Sequence, residues 1–360
     1  MNVIQRNEVT KNLGSIKWVL PRSFASLWMT LFFVSLSVSA LAQTPFRVMF
    51  WNVENLFDTK DDSLKNDNEF LPDATRHWTF FRYRDKLKNL AKGIIASGDE
   101  YVPDLVGLCE VENDSCIHDL VRRSPLREAG YRYVMTHSPD HRGIDVALLY
   151  QRGSFRLLQH QSVRIPHEQV KREPTRDILH VVGRVVSGDT LDVMVCHMPS
   201  RSGGQWETEP YRMFTAKILR QVVDSLMNVR TNPYLIIMGD FNDYPTNRSL
   251  KETLCGDGRL TNLMQGKKEG TYRFRGEWGM LDQFLVSENL LKKEGSIRTS
   301  WEKAQILRHP FLLEEDEKYG GVKPFRTYNG MKYQAGFSDH LPIALDLWIP
   351  IRDDKDCCSE

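Results

Sequence analysis

The chain has 360 residues, 41% hydrophobic and 26% charged, with 48 basic against 47 acidic side chains. That mix supplies a sizeable core and excludes wholesale disorder. A net charge of +1 also excludes a global field that would capture polyanions, so any affinity for phosphate must be local.

At the N-terminus Arg6, Lys11, Lys17 and Arg22 precede an uncharged run from Phe24 to Ala42. Ala40-Leu-Ala42 before Gln43 has the small-x-small form of a signal-peptidase site. Residues 1–42 are therefore expected to be a signal peptide, with the protein periplasmic or secreted after cleavage near Ala42. The alternative is a retained membrane anchor, since a run of this length can just span a bilayer. Residues 43–350 read as one domain and 351–360 as a charged tail.

Strand-like runs follow at Phe46–Val53, Leu105–Cys109, Arg132–Thr136, Asp145–Tyr150, Leu179–Val186, Leu191–Cys196, Tyr234–Met238, Leu281–Val286 and Leu341–Trp348. Helical patterns fall near Phe81–Ser97, Tyr211–Met227 and Asn247–Leu254. Many strands with few helices predict two packed sheets with helices outside them. Asp58–Thr79 and Glu302–Phe337 read as long loops. The six cysteines fit no zinc spacing and are too sparse for a disulfide-built fold. Cys109 and Cys196 are expected to be buried thiols, pairing of Cys116 and Cys255 is left open, and Cys357-Cys358 lies in the tail.

The informative signal is what stands at strand ends. "IIMGDFND" puts Asp240 and Asn242 two residues apart, on one face of a strand, with Phe241 turned back to the core. "MFWNVEN" does the same with Asn52 and Glu54, "LVGLCEVEN" delivers Glu110, and "VMVCHMPSR" delivers His197. "MLDQFLV" plants Asp282, and "FSDHLPIAL" sets Asp339 and His340 before the last strand. Each alone is a turn or cap. Together they predict one polar cleft, because buried acids are expensive unless a metal or partner compensates them.

These blocks, in this order from about Phe46 to Trp348, resemble the endonuclease/exonuclease/phosphatase family. The resemblance implies an α/β fold, a four-layer αββα sandwich of two mixed sheets flanked by helices, and a metal-dependent phosphoester hydrolase. It implies Glu110 as the metal ligand, with Asn52, Glu54 and Asp339 completing or orienting a Mg²⁺ or Mn²⁺ site. Such hard cations suit carboxylates and need few protein ligands. It implies a His340–Asp282 pair, with His340 acting as a base or, protonated, stabilising the phosphate. Asp240 would position or deprotonate the attacking water, Asn242 would hold a phosphate oxygen or Asp240, and His197 would donate to phosphate or leaving group. Ser200 and Arg201 in the Pro-Ser-Arg-Ser-Gly-Gly loop, Arg142, Arg326 and Tyr328 are candidate substrate contacts.

Two segments are expected to set substrate choice. "RHWTFFRYRDK", 76–86, mixes basic and aromatic residues as single-strand surfaces do, although Phe80, Phe81 and Leu87 are expected to pack the first helix instead. Residues 320–337 bring Lys323, Arg326 and Tyr328 near His340 as a lid or groove wall. The expected function is a secreted or periplasmic nuclease acting on DNA and/or RNA with little sequence preference. The alternatives are a phosphodiesterase or phosphatase for lipid head groups or inositol phosphates, and a non-catalytic binding protein. A monomer is expected, in contact with membrane only if the leader is retained or the substrate is a lipid.

Overall fold

The computed structural model describes residues 46–170 and 173–350; the leader, the 351–360 tail and Cys357-Cys358 lie outside the described residues. One six-stranded sheet contains β1 (Phe46–Leu56), β2 (Leu105–Val111), β3 (Arg132–Met135), β4 (Asp145–Tyr150), β13 (Ala304–Ile306) and β18 (Ile343–Leu347), in the order β13-β18-β1-β2-β4-β3. The other contains β5 (Phe155–Val163), β6 (Ile178–Val185), β7 (Thr190–His197), β8 (Tyr234–Asp240), β9 (Leu260–Asn262) and β12 (Asp282–Ser287), in the order β5-β6-β7-β8-β12-β9. Three two-stranded hairpins, β10/β11 (Tyr272–Phe274, Glu277–Gly279), β14/β15 (Leu313–Glu315, Val322–Pro324) and β16/β17 (Tyr328–Asn329, Lys332–Tyr333), decorate them. The β1–β2 and β7–β8 pairs are parallel, so each sheet is mixed.

The strand period of two sorts the apolar residues into layers. Val48 and Phe50 of β1 meet Val193, Val195, Ile236, Met238 and Phe284 between the sheets. Met49 and Trp51 face the other way, onto helices α1 (Phe80–Ala96) and α2 (Asp114–Arg123). Met194, Cys196, Leu235 and Ile237 likewise cover the outer face of the second sheet under α3 (Gln205–Val229). Four layers result, helix, sheet, sheet, helix. The sheets press close together at Gly107, where a Cβ would stand 2.7 Å from Met238 Cε. The described residues all fall in one compact unit, and none of their helices is long and apolar enough to cross a membrane.

Several expectations change. Leu87 is buried, but Phe80 and Phe81 are 54% and 79% exposed, so the first turn of α1 presents aromatics rather than packing them. The 302–337 stretch carries β13 to β17 rather than plain loop, and α3 begins at Gln205, its start hidden by Pro210. The segment near Asn247–Leu254 is a short π-helix, Ser249–Leu254. Cys116 and Cys255 are free thiols, as are buried Cys109 and Cys196.

Candidate active site

Four rows of the central core continue, one period further on, into polar side chains. Val195, Met238 and Phe284 point between the sheets, and His197, Asp240 and Asp282 share their face. The three are in register, Asp240 opposite His197 on parallel β7 and opposite Asp282 on antiparallel β12. In the facing sheet Phe50 leads to Asn52 in the same way.

Glu110 departs from this alternation. Leu105 and Cys109 face the second sheet, so a regular strand would send Glu110 toward the helices. Instead the β2–β4 register shifts between Cys109 and Val111, and Glu110 takes φ 63°. The bulge re-aims its carboxylate at the cleft, where Asn52 Nδ2 approaches Oε1 at 3.5 Å and Asn55 N–H donates to Oε2 at 3.0 Å. A matching irregularity on β1 puts Glu54 and Asn55 at φ 50° and 55°. With Asn242, also at φ 50°, these make four of the seven described non-glycine residues with positive φ. Such backbone costs about 1–2 kcal/mol for most residues, and here it collects at one cleft.

Asp240 is the hub. Its Oδ2 accepts from Asn52 Nδ2 at 3.0 Å and lies 3.8 Å from both His197 Nε2 and His340 Nε2, while Oδ1 accepts from the Asn242 N–H at 2.9 Å. His340 is seated by Ser338, whose hydroxyl accepts from the His340 N–H and donates to the Asn52 carbonyl. Trp51 Nε1 holds the His340 carbonyl, and the Tyr272 ring lies 4.9 Å away. His340 Nδ1 meets Asp282 Oδ2 at 2.7 Å.

The two histidines are driven apart electrostatically. Burial alone would lower His340, but Asp282, Asp240 and Asp339 raise it well above the ordinary histidine range. Burial pushes His197 well below that range, and Arg176, Arg142 and His340 push the same way. Burial lifts the Asp240 carboxyl to about 7, with His340 opposing and Asp282 adding to the rise. At neutral pH the cleft therefore holds an imidazolium, a neutral imidazole and a carboxyl near its midpoint.

The metal-side candidates divide. Among the described residues Glu110 Oε1 has just the long Asn52 contact and His197 Nε2 at 3.8 Å, although its side chain is only 14% exposed. Asp339 turns Oδ2 to Arg326 Nη2 at 3.0 Å. Glu54 is committed elsewhere, Oε1 to Arg326 Nε at 3.2 Å and Oε2 to the Thr327 N–H at 2.7 Å. Lys86, fully enclosed behind it, donates to Thr327 Oγ1 and, at 2.6 Å, to the Phe337 carbonyl. Hard oxygens around an undercompensated Glu110 fit Mg²⁺ or Mn²⁺, with Asn52 in contact and Asp339 lining the same cleft. Asp240, Asp282 and His340 also bring ligand-capable atoms within 4.8 Å of one another. Asp282 Oδ2 is already taken by the imidazole, an arrangement that holds a proton between them.

The cleft, about 860 Å³, is lined also by Arg142, Ser200 and Arg201. Arg201 is spent largely on the protein. It donates from Nε to the Asn242 carbonyl at 2.6 Å and from Nη2 to Asn247 at 3.0 Å, and it stacks 4.1 Å above Tyr244. Asn242 Nδ2 binds the Met198 carbonyl at 3.1 Å. Arg326 and Tyr328 line a separate pocket instead, and the Tyr328 hydroxyl donates to the Arg76 carbonyl. Sequence reasoning missed Asn55, Arg176, Tyr272 and Lys86. Lys86 had a signal, since it stands on the apolar stripe of α1 with Tyr83, Leu87, Leu90 and Ile94.

Two facing sheets whose ends pool carboxylates, amides and histidines around one cleft define a phosphoester hydrolase scaffold. The chain belongs to the Endonuclease/Exonuclease/phosphatase family, whose sequence profile matches residues 47–348. No curated protein matches it by sequence. Among solved structures it is similar to the human nocturnin catalytic domain, with 18% identity, 86% of this chain and 95% of that one covered, and a TM-score of 0.53. A Bacteroides thetaiotaomicron mannosyl-6-phosphatase gives 14%, 84%, 100% and 0.54 for the same quantities. D. rerio TDP2 complexed with single strand DNA product gives 14%, 85%, 100% and 0.52. At these identities the likeness shows the shared fold.

Proposed function

We propose that the chain is an exported, divalent-metal-dependent phosphodiesterase, a nuclease acting on DNA and/or RNA with little sequence preference. The observation that carries the reading is the convergence on Asp240 Oδ2 of Asn52, His197 and His340, with Glu110 beside them. Glu110, with Asn52 and Asp339 around it, would hold Mg²⁺ or Mn²⁺, which when bound supplies positive charge for the non-bridging and leaving oxygens. Asp240 orients and deprotonates the attacking water, with a carboxyl that titrates where a general base is most effective. The His340 imidazolium, kept charged by Asp282, stabilises negative charge building on the phosphate. His197, neutral, donates a hydrogen bond to a phosphate or leaving-group oxygen. Arg201 holds Asn242 in place.

Nucleic acid is favoured because Arg142 lines the cleft and Arg326 lies in a nearby pocket, and because the TDP2 neighbour carries a single-strand DNA product. Export rests on the uncharged run 24–42 behind its basic leader. A second reading, lipid head groups or inositol phosphates, is favoured by Trp206, which is 76% exposed beside cleft-lining Gln205. The test is a panel of supercoiled plasmid, single-stranded DNA, RNA, sphingomyelin and an inositol polyphosphate, each with Mg²⁺, Mn²⁺ or EDTA. Metal-dependent cutting of nucleic acid is the expected result. Turnover of only the lipid or inositol ester would replace the nuclease reading by the second one.

A further inference from the structure

Two small cavities follow on from the catalytic cleft on the side of Asn55, the first sharing a lining residue with the cleft and the second only with the first. One, about 310 Å³, shares Arg142 with the cleft and reaches Arg76. The other, about 150 Å³, lies between Arg76 and Arg326 and shares Asn55 and Phe70 with the first. Three guanidinium groups thus follow one another along a groove that starts beside Glu110. The 58–79 and 320–337 segments, which the reaction leaves otherwise unemployed, form much of its walls.

Each arginine is fixed at one edge and open at another. Arg76 lies against the Phe70 and Tyr328 rings, 5.2 and 5.1 Å from their centroids, with Nε on Glu69 and Nη1 on the Gly330 carbonyl. Arg142 uses Nη2 on Asn55 Oδ1 at 2.7 Å, and Arg326 uses Nε and Nη2 on Glu54 and Asp339. Among the described residues Arg76 Nη2, Arg142 Nη1 and Arg326 Nη1 have no protein partner, and none belongs to the buried unpartnered atoms. The carboxylates near them, Glu69, Glu54 and Asp339, are already paired with these same arginines. What the groove offers a ligand is a row of oriented guanidinium N–H donors, one on each arginine left without a protein partner.

We propose that this groove is a subsite for a second phosphate of the substrate. The proposal deepens the phosphoesterase reading and rests on it. The stacked rings hold Arg76 in one orientation, so little side-chain entropy is lost when it forks onto phosphate oxygens. Asn55 ties the subsite to the reaction centre, its N–H on Glu110 Oε2 and its side-chain oxygen on Arg142. The second phosphate comes from the neighbouring nucleotide of a strand or from a multiply phosphorylated polyol, and the experiment separates the two.

The full chain, with divalent metal chelated, is titrated with adenosine 3′,5′-bisphosphate against adenosine 5′-monophosphate, and with an inositol bisphosphate against its monophosphate. In at least one pair the bisphosphate should bind about tenfold more tightly or better, as expected for an added charge-assisted contact. The pair that shows the preference identifies the source. Arg76→Gln should bring that ratio to within about twofold of unity, and Arg76→Lys should recover part of it. Because the ratio is taken within each variant, partial unfolding cannot imitate the effect. Equal affinities in both wild-type pairs, no saturable binding at millimolar bisphosphate, or a preference untouched by Arg76→Gln would overturn the subsite. Hydrolysis of bis(p-nitrophenyl) phosphate, measured in parallel with Mn²⁺, tests the underlying reading separately. A bisphosphate preference without that hydrolysis would count against the phosphodiesterase reading and keep the groove only as a bisphosphate-binding site.

Discussion

Replacing Asp282 by Asn keeps the shape of a fully buried side chain and removes the charge that holds His340 as an imidazolium. The contact is 2.7 Å long, with side chains 6% and 1% exposed, so solvent screening is weak. Unit charges about 4 Å apart interact by roughly 4 kcal/mol at an effective dielectric near 20. A hydrogen bond to a charged group contributes about 1.5–3 kcal/mol net. Removing the Asp282 charge should lower His340 from its raised position, while Asp240 and Asp339 still favour its charged form. The sign follows: wild-type His340 is raised, its support is removed, and the imidazolium is lost at lower pH. With transition-state charge less well stabilised, kcat should fall by about 10²–10³, with KM within a few fold. The assay is steady-state hydrolysis of a phosphodiester at saturating Mn²⁺ from pH 5 to 9, with a thermal melt to confirm folding. The alkaline limb of the profile should move toward acid. A variant with kcat within threefold of wild type and an unmoved alkaline limb would reduce Asp282 to a packing residue.

Glu110→Gln should raise the Mn²⁺ concentration for half-maximal activity by about tenfold or more, and an unchanged metal titration would move the ion elsewhere. Lys86→Met removes the donor from Thr327 Oγ1 and the Phe337 carbonyl; urea unfolding should show a loss of about 2 kcal/mol, and an unchanged midpoint would refute that anchoring role. Glu112 is raised from 4.5 to about 8, by burial first and then by Asp58 and Asp67. The folded chain therefore holds a proton that the unfolded chain releases, so this contribution is full below about pH 4.5 and lost as pH rises toward 8. Glu112→Gln should flatten that slope and melt higher than wild type at pH 8; parallel melting curves from pH 5 to 8 for both proteins would show that Glu112 does not set it.

Much of the scaffold was legible because the central strands are buried on both faces and read as unbroken apolar runs. Tyr234–Met238 lies within β8 and Asp145–Tyr150 coincides with β4. The edge strand β5, "FRLLQHQSV", escaped notice because it is largely exposed and lacks such a run. Helix α2 was missed because only Cys116, Ile117, Leu120 and Val121 mark its buried side within ten residues. At the cleft, His197, Asp240, Asp282 and Asn52 were legible because each extends a core row by one period. Placing Glu110 needed the bulge at Cys109–Val111, which no periodicity announces. The pairing of Glu54 and Asp339 through Arg326 joins residues 272 and 13 positions apart, and only the folded chain brings them together.

In the proposed function this cleft breaks phosphodiesters with His340 acting in the transition state. The most direct measurement is hydrolysis of bis(p-nitrophenyl) phosphate by wild type and His340→Ala, with Mn²⁺ and then with excess EDTA. Turnover should need Mn²⁺, disappear with EDTA, and drop at least about a hundredfold in kcat in the folded variant while KM stays within a few fold. Turnover retained by His340→Ala, or untouched by EDTA, would contradict that function.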